Sequence, residues 1–81
     1  METKDLRQHR ILISKILQAS TKIAIDHKRG AANFVRVPSD LRSTFPGEIA
    51  GISVHEDIGL TGKIVVGRID ADFIAEETIN L

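Results

Sequence analysis

Five side chains between residues 27 and 42 carry the chemistry best suited to an anionic partner: His27, Lys28, Arg29, Arg36 and Arg42. The first three stand in a row directly before Gly30, and Arg36 lies within Phe34-Val35-Arg36-Val37-Pro38. Cations gathered on one surface release counterions from phosphates, and an Arg side chain takes guanine bidentately in the major groove. An anionic ligand also favours the charged form of His27.

Other constellations are poorer. His9, His27 and His55 show none of the spacings that mark a metal site, and surface or partly buried histidine is the simpler reading. Gly59-Leu60-Thr61-Gly62-Lys63 is a degraded phosphate loop: Asp57 stands where the first Gly belongs, Ile64 replaces the hydroxyl residue, and an expected strand follows instead of a helix. Asp70 and Asp72 with Glu76 and Glu77 read as a solvated acidic edge, because no nucleophile or His accompanies them. No serine sits in a nucleophile elbow. The expectation is a protein that is not an enzyme and carries no cofactor and no metal.

Charge along the chain is polarised. Residues 1–42 hold nine Lys or Arg and four acids, a balance of +5, whereas residues 43–81 hold two bases and seven acids, a balance of −5. Local charge rather than net charge steers a partner. The alternative is a basic half neutralised by the protein's own acidic half. With 81 residues the chain makes one small domain, of a size that often gains stability by dimerising. It has no Cys, Trp or Tyr and three Phe, so the core must come from Ile, Val, Leu and Ala, with Phe34, Phe45 and Phe73. Lack of Tyr and Trp argues against single-strand nucleic-acid binding by stacking. No apolar run approaches the ~20 residues of a bilayer span, and a cytoplasmic location is expected.

Positioning these side chains needs a scaffold, and its elements are partly readable. Residues 3–19 form an amphipathic helix, started at Glu2 or Thr3, with Leu6, Leu12, Ile13, Ile16, Leu17 and Ala19 on one face. Lys22-Ile23-Ala24-Ile25-Asp26 alternates over β-branched residues and reads as a strand. A turn around Gly30 leads to a strand at 33–37, ended by Pro38. Ser39 is the expected N-cap of a short helix to Phe45, stopped by Pro46-Gly47. Strands follow at about 48–55 and 63–69, and residues 70–81 read as an acidic tail, either a last strand or helix or an arm.

This order resembles the AbrB/MazE family of DNA-binding domains, most closely the MazE antitoxin type. The likeness is carried by His27-Lys28-Arg29-Gly30, by Phe34-Val35-Arg36-Val37-Pro38-Ser39-Asp40-Leu41-Arg42, by Gly47-Glu48-Ile49 and by Gly62-Lys63-Ile64-Val65-Val66, within residues 21–67. The resemblance implies a swapped-hairpin barrel made by two chains, with DNA read by Lys28, His27, Arg29 and Arg36. Ala31 and Ala32 depart from the family's usual residues after the Gly, and the loop before Gly62 is long for the family. The expected fold class is α+β: an N-terminal helix, then a small β-barrel or sheet with one short helix, in an intertwined dimer. The expected function is a homodimeric regulator or antitoxin-like protein that binds duplex DNA. The alternatives are a small adaptor or inhibitor docking on an acidic protein partner, and a binder of a small phosphorylated ligand at the 27–30 turn.

Overall fold

Ile16, Ala19 and Ile23 recur at helical spacing and are 0%, 8% and 1% exposed. They define the buried face of α1 (Lys4–His27), which runs eight residues beyond the expected helix. The computed structural model describes the backbone of residues 4–81 and the side chains from His9 onward. The segment Lys22–Asp26 is therefore helical, not a strand. In a strand Ile23 and Ile25 would share a face; here Ile25 is 68% exposed while Ile23 is buried. Burying Ile23 is worth ~1.5–3 kcal/mol, more than the few tenths by which β-branched residues disfavour a helix. Leu12 and Ile13 are partly buried against the core, but Leu17, expected there too, lies on the flank and is 39% exposed. The expected helix start at Glu2 or Thr3, and the Leu6 side chain, fall outside the described residues.

Five strands follow: β1 (Phe34–Val37), β2 (Glu48–Ile49), β3 (Ile52–Glu56), β4 (Lys63–Asp70) and β5 (Phe73–Asn80). They form one mixed sheet in the order β2-β3-β1-β4-β5, with β1 parallel to β3 and antiparallel to β4. The fold class is α+β. Within one chain the sheet is open, with β2 and β5 at its edges. The expected strand over 48–55 is split: Ala50 (φ 49°) and Gly51 (φ 83°) turn the chain tightly, and Ile49 pairs with Ile52. A type I′ two-residue hairpin needs positive φ at both central positions, which suits Gly51 better than Ala50. The acidic segment is a strand, β5, paired with β4 over eight consecutive residues.

The short helix α2 (Ser39–Arg42) follows Pro38, which occupies the N-cap position with no side-chain cap. Ser39, expected there, sits one residue inside the helix, and its Oγ donates to Glu56 Oε2 at 3.3 Å. The helix stops at Arg42, freeing Phe45 to turn into the core, where it is 4% exposed.

Alternation in β1 sends Val35 and Val37 to the α1 side and Phe34 and Arg36 to the other. Register then sorts the sheet. Val35, Val37, Ile64 and Val66 join Ile16 and Ile23 in the fully buried core. Phe34, Arg36, His55, Gly67, Ile69, Ile74 and Glu76 share the face that no helix covers. Ser20, 5% exposed, accepts a hydrogen bond from the Ala32 N–H at 3.0 Å and ties α1 to the approach of β1. No helix among the described residues is long and apolar enough to cross a membrane.

Candidate interaction surface

α1 ends because Lys28 adopts φ 58°, with its N–H bonded to the Ala24 carbonyl at 3.0 Å. This is a left-handed helix cap, a position normally given to glycine. A Lys there costs ~1 kcal/mol. Lys28→Gly is expected to raise stability by about that amount, measured as a higher urea midpoint at unchanged m-value.

The cap turns the basic residues onto the β4–β5 turn. His27 meets the Phe73 ring edge-on at 5.2 Å, and the Arg29 guanidinium lies 4.5 Å over the same ring. Arg29 Nη1 donates to Asp72 Oδ1 at 3.1 Å. Phe73 faces the α1 side of the sheet. Arg36 is on the opposite side: it passes over the Phe34 ring at 5.5 Å and crosses β4 to form an ion pair with Glu76. Arg42 is at the far end of β1, beyond Pro38, and donates to the Phe45 carbonyl at 3.2 Å. The five cationic candidates thus occupy three places: His27, Lys28 and Arg29 at one end, Arg36 on the uncovered face, and Arg42 at the other end.

Lys22 extends the pattern, bonded to Glu77 at 2.7 Å and to Asp26 at 3.3 Å. Lys22, Arg29 and Arg36 come from the basic half, and Glu77, Asp72 and Glu76 from the acidic half. The charge polarity of the chain is, to this extent, internal pairing of α1, the turn after it and β1 with the β4–β5 turn and β5. Solvent screening leaves such exposed pairs little weight in stability. Their local effect on potential is larger, since a cation bound to a carboxylate offers little net field to a phosphate. Lys15, Lys28 and Lys63 have no carboxylate partner among the described residues.

Glu77 first, and Asp26 second, hold the Lys22 ammonium above its ordinary pKa. A raised folded-state value means that this stabilisation is complete below the unfolded pKa and is lost as pH climbs through the folded one. Lys22→Met is therefore expected to flatten the alkaline fall in stability above about pH 10. Urea midpoints of both proteins across that range check it, with the difference shrinking in high salt.

Beside Arg36 the uncovered face sinks into a shallow hollow of about 290 Å³, lined by Phe34, Arg36, His55 and Ile69. That is side-chain size, at the bottom of the range for small-molecule sites. Arg36 Nε is shielded from solvent and has no hydrogen-bond partner. Two features here went unread in the sequence. Gly67 gives the Phe34 ring its room, since a Cβ at that position would meet the ring. Asn33 acts as an extra rung of the sheet: its Nδ2 donates to the Ile69 carbonyl at 2.9 Å, and its Oδ1 accepts from the Ile69 N–H at 3.0 Å. Parity within Phe34-Val35-Arg36-Val37 was the available signal for the first; nothing local signals the second.

His9 lies tilted against Phe45 at 5.1 Å, His27 meets Phe73 edge-on, and His55 is exposed on the uncovered face, so the three histidines are well separated. No family model, curated protein or solved structure matches this chain.

Proposed function

We propose that this chain is a non-catalytic protein-binding module whose uncovered sheet face receives a partner segment presenting an apolar side chain next to a carboxylate. The observation that carries the reading is the pairing of Phe34 with Arg36 at the rim of a side-chain-sized hollow. Aromatic and Arg side chains dominate binding energy at protein interfaces, from positions that are already partly desolvated. Arg36 is such a position: its Nε is out of water without a partner, and its Nη2 donates to Glu76 Oε2, a carboxylate that an incoming acid can replace. Phe34 and Ile69 supply the apolar floor.

The test is a random peptide library panned on the purified chain. Enrichment of short sequences joining an acid to a bulky apolar residue is expected. Arg36→Ala should weaken the selected peptide about 30-fold, the size of a typical hot spot. Glu76→Gln should strengthen it, because the internal competitor for the guanidinium is gone. Peptides that bind Arg36→Ala as well as the parent would end this reading.

A second reading, duplex-DNA binding by a homodimer of the AbrB/MazE type, is favoured by one observation. Lys28 is exposed, free of carboxylates and held in a fixed left-handed turn beside His27 and Arg29. Fluorescence anisotropy with random duplex DNA separates the two readings. Six to eight neutralised phosphates predict a log–log salt slope of about −5 to −7. Absence of binding at low salt would remove the DNA reading.

A further inference from the structure

The outer edge of β5 lacks the devices that keep edge strands apart. Leu81 N–H donates to the Gly62 carbonyl at 3.0 Å, and the register Lys63↔Asn80 continues without a bulge to Asp70↔Phe73. Bonded and non-bonded pairs alternate in an antiparallel ladder. Phe73, Ala75, Glu77 and Ile79 therefore spend their backbone groups on β4. The N–H and C=O groups of Ile74, Glu76, Thr78 and Asn80 point outward, and none meets a backbone partner among the described residues. Exposed edges are usually blunted by Pro, a bulge, unpaired Lys or brevity. The opposite edge, β2, is two residues long. β5 is eight, contains no Pro, Gly or Lys, and both its acids are already neutralised, Glu76 by Arg36 and Glu77 by Lys22.

We infer that β5 pairs antiparallel with β5 of a second copy of this chain, about a two-fold axis through Glu77, joining the two sheets into one of ten strands. Of the symmetric registers, this one bonds all four outward residues with one another inside the strand, Ile74 with Asn80 of the copy and Glu76 with Thr78. On the α1 side it sets Ala75 against Ile79 and Phe73 against Leu81, which is 55% exposed in the single chain. The two Glu77 carboxylates meet at the axis, each bringing the Lys22 ammonium that neutralises it.

α1 packs on both β4 and β5. Strands ~4.8 Å apart then place α1 and its copy ~10 Å apart, a helix-packing distance. The helix flank along this edge is marked by Lys22 at Glu77 and by Ile11 and Lys15 beside Asn80 and Leu81. It carries an exposed apolar residue, Ile11, at 42%. A wall ~27 Å long and two layers, ~20 Å, deep buries roughly 500–700 Å² per copy, enough for a specific dimer. The pairing does not rest on the partner proposed for the uncovered sheet face; it sets two such faces side by side.

Light scattering on the eluting 81-residue chain should give twice the chain mass. Thr78→Pro removes an N–H that the chain's own ladder does not use, so a monomer with an unchanged circular dichroism spectrum is expected. Should that variant lose its fold, Ile74→Lys, which puts a cation on the same edge, gives the same readout. Register is tested in a chain that has no other thiol. Across a non-bonded antiparallel pair the Cα atoms are ~4.5 Å apart, within disulfide range. Glu77→Cys should therefore cross-link to a covalent dimer on mild oxidation and Glu76→Cys should not. A parent chain that stays monomeric at every concentration, a dimer that survives both edge variants, or cross-linking through position 76 in preference to 77 would overturn the inference.

Discussion

Gly67→Ala is expected to destabilise the fold by about 3 kcal/mol, the upper end for overpacking. The new methyl would lie 2.7 Å from the Ala75 carbonyl oxygen, in the neighbouring strand, and would also meet the Phe34 ring. The ring can rotate away; the carbonyl is fixed by the β4–β5 ladder. For a domain of this length, ~4–12 kcal/mol of total stability makes that loss severe, and a fall in Tm of roughly 12–24 °C follows. Gly47→Ala is the control, because nothing lies within 4 Å of a Cβ there, and its effect should be a few tenths of a kcal/mol. Adding Phe34→Ala to Gly67→Ala should leave most of the cost in place, which separates the backbone clash from the ring clash. Chemical denaturation at constant m-value measures all four proteins.

Ile23→Ala is expected to cost about 2–5 kcal/mol, and Ile25→Ala less than ~0.5 kcal/mol. Ile23 is 1% exposed among core residues, whereas Ile25 is 68% exposed on the far side of α1. Equal costs would restore the strand reading of Lys22–Asp26, in which both side chains face one way. If β5 pairs with its copy and the helices approach, Ile11→Ala, on the flank beside Asn80 and Leu81, should lower dimer affinity while leaving the unfolding midpoint of an edge-blocked Thr78→Pro monomer nearly unchanged.

The expectations that held came from local pattern. Phe34-Val35-Arg36-Val37 alternates, so its strand and the two faces of its side chains were readable, and Pro38 marked its end. The strand expected at about 63–69, over Ile64-Val65-Val66, is β4. The failures came where two periods fit the same residues. Lys22-Ile23-Ala24-Ile25-Asp26 satisfies both a strand and the last turns of a helix, and only the position of Ile23 over the core decides. Ser39 looked like a cap because of its type, but Pro38, with φ −65° and ψ 158°, already holds the extended conformation that an N-cap requires.

The candidate surface was legible in its residue types and not in its arrangement. Lys28, Arg29 and Arg36 were visible as cations near turns and strands. Their counterions are not neighbours in the chain: Arg29 and Asp72 are separated by 43 positions, and Arg36 and Glu76 by 40. Glu76 and Glu77 stand side by side in sequence yet point to opposite faces of β5, one toward Arg36 and the other toward Lys22. A count of charges along the chain sees a basic half and an acidic half; it does not see that β4 lies between β1 and β5, so that Arg36 must reach across one strand to its acid.

By itself the sequence determined the α+β class, the central strands and the excess of cations in residues 1–42, because side-chain period and charge are local properties. Only the tertiary structure decided where α1 ends, which cations remain free, and that β5 is left with an open edge. Each of these depends on through-space neighbours: burial beneath the helix, carboxylates a few ångströms away, and a strand order that stops at β5 with half of its backbone groups unbonded.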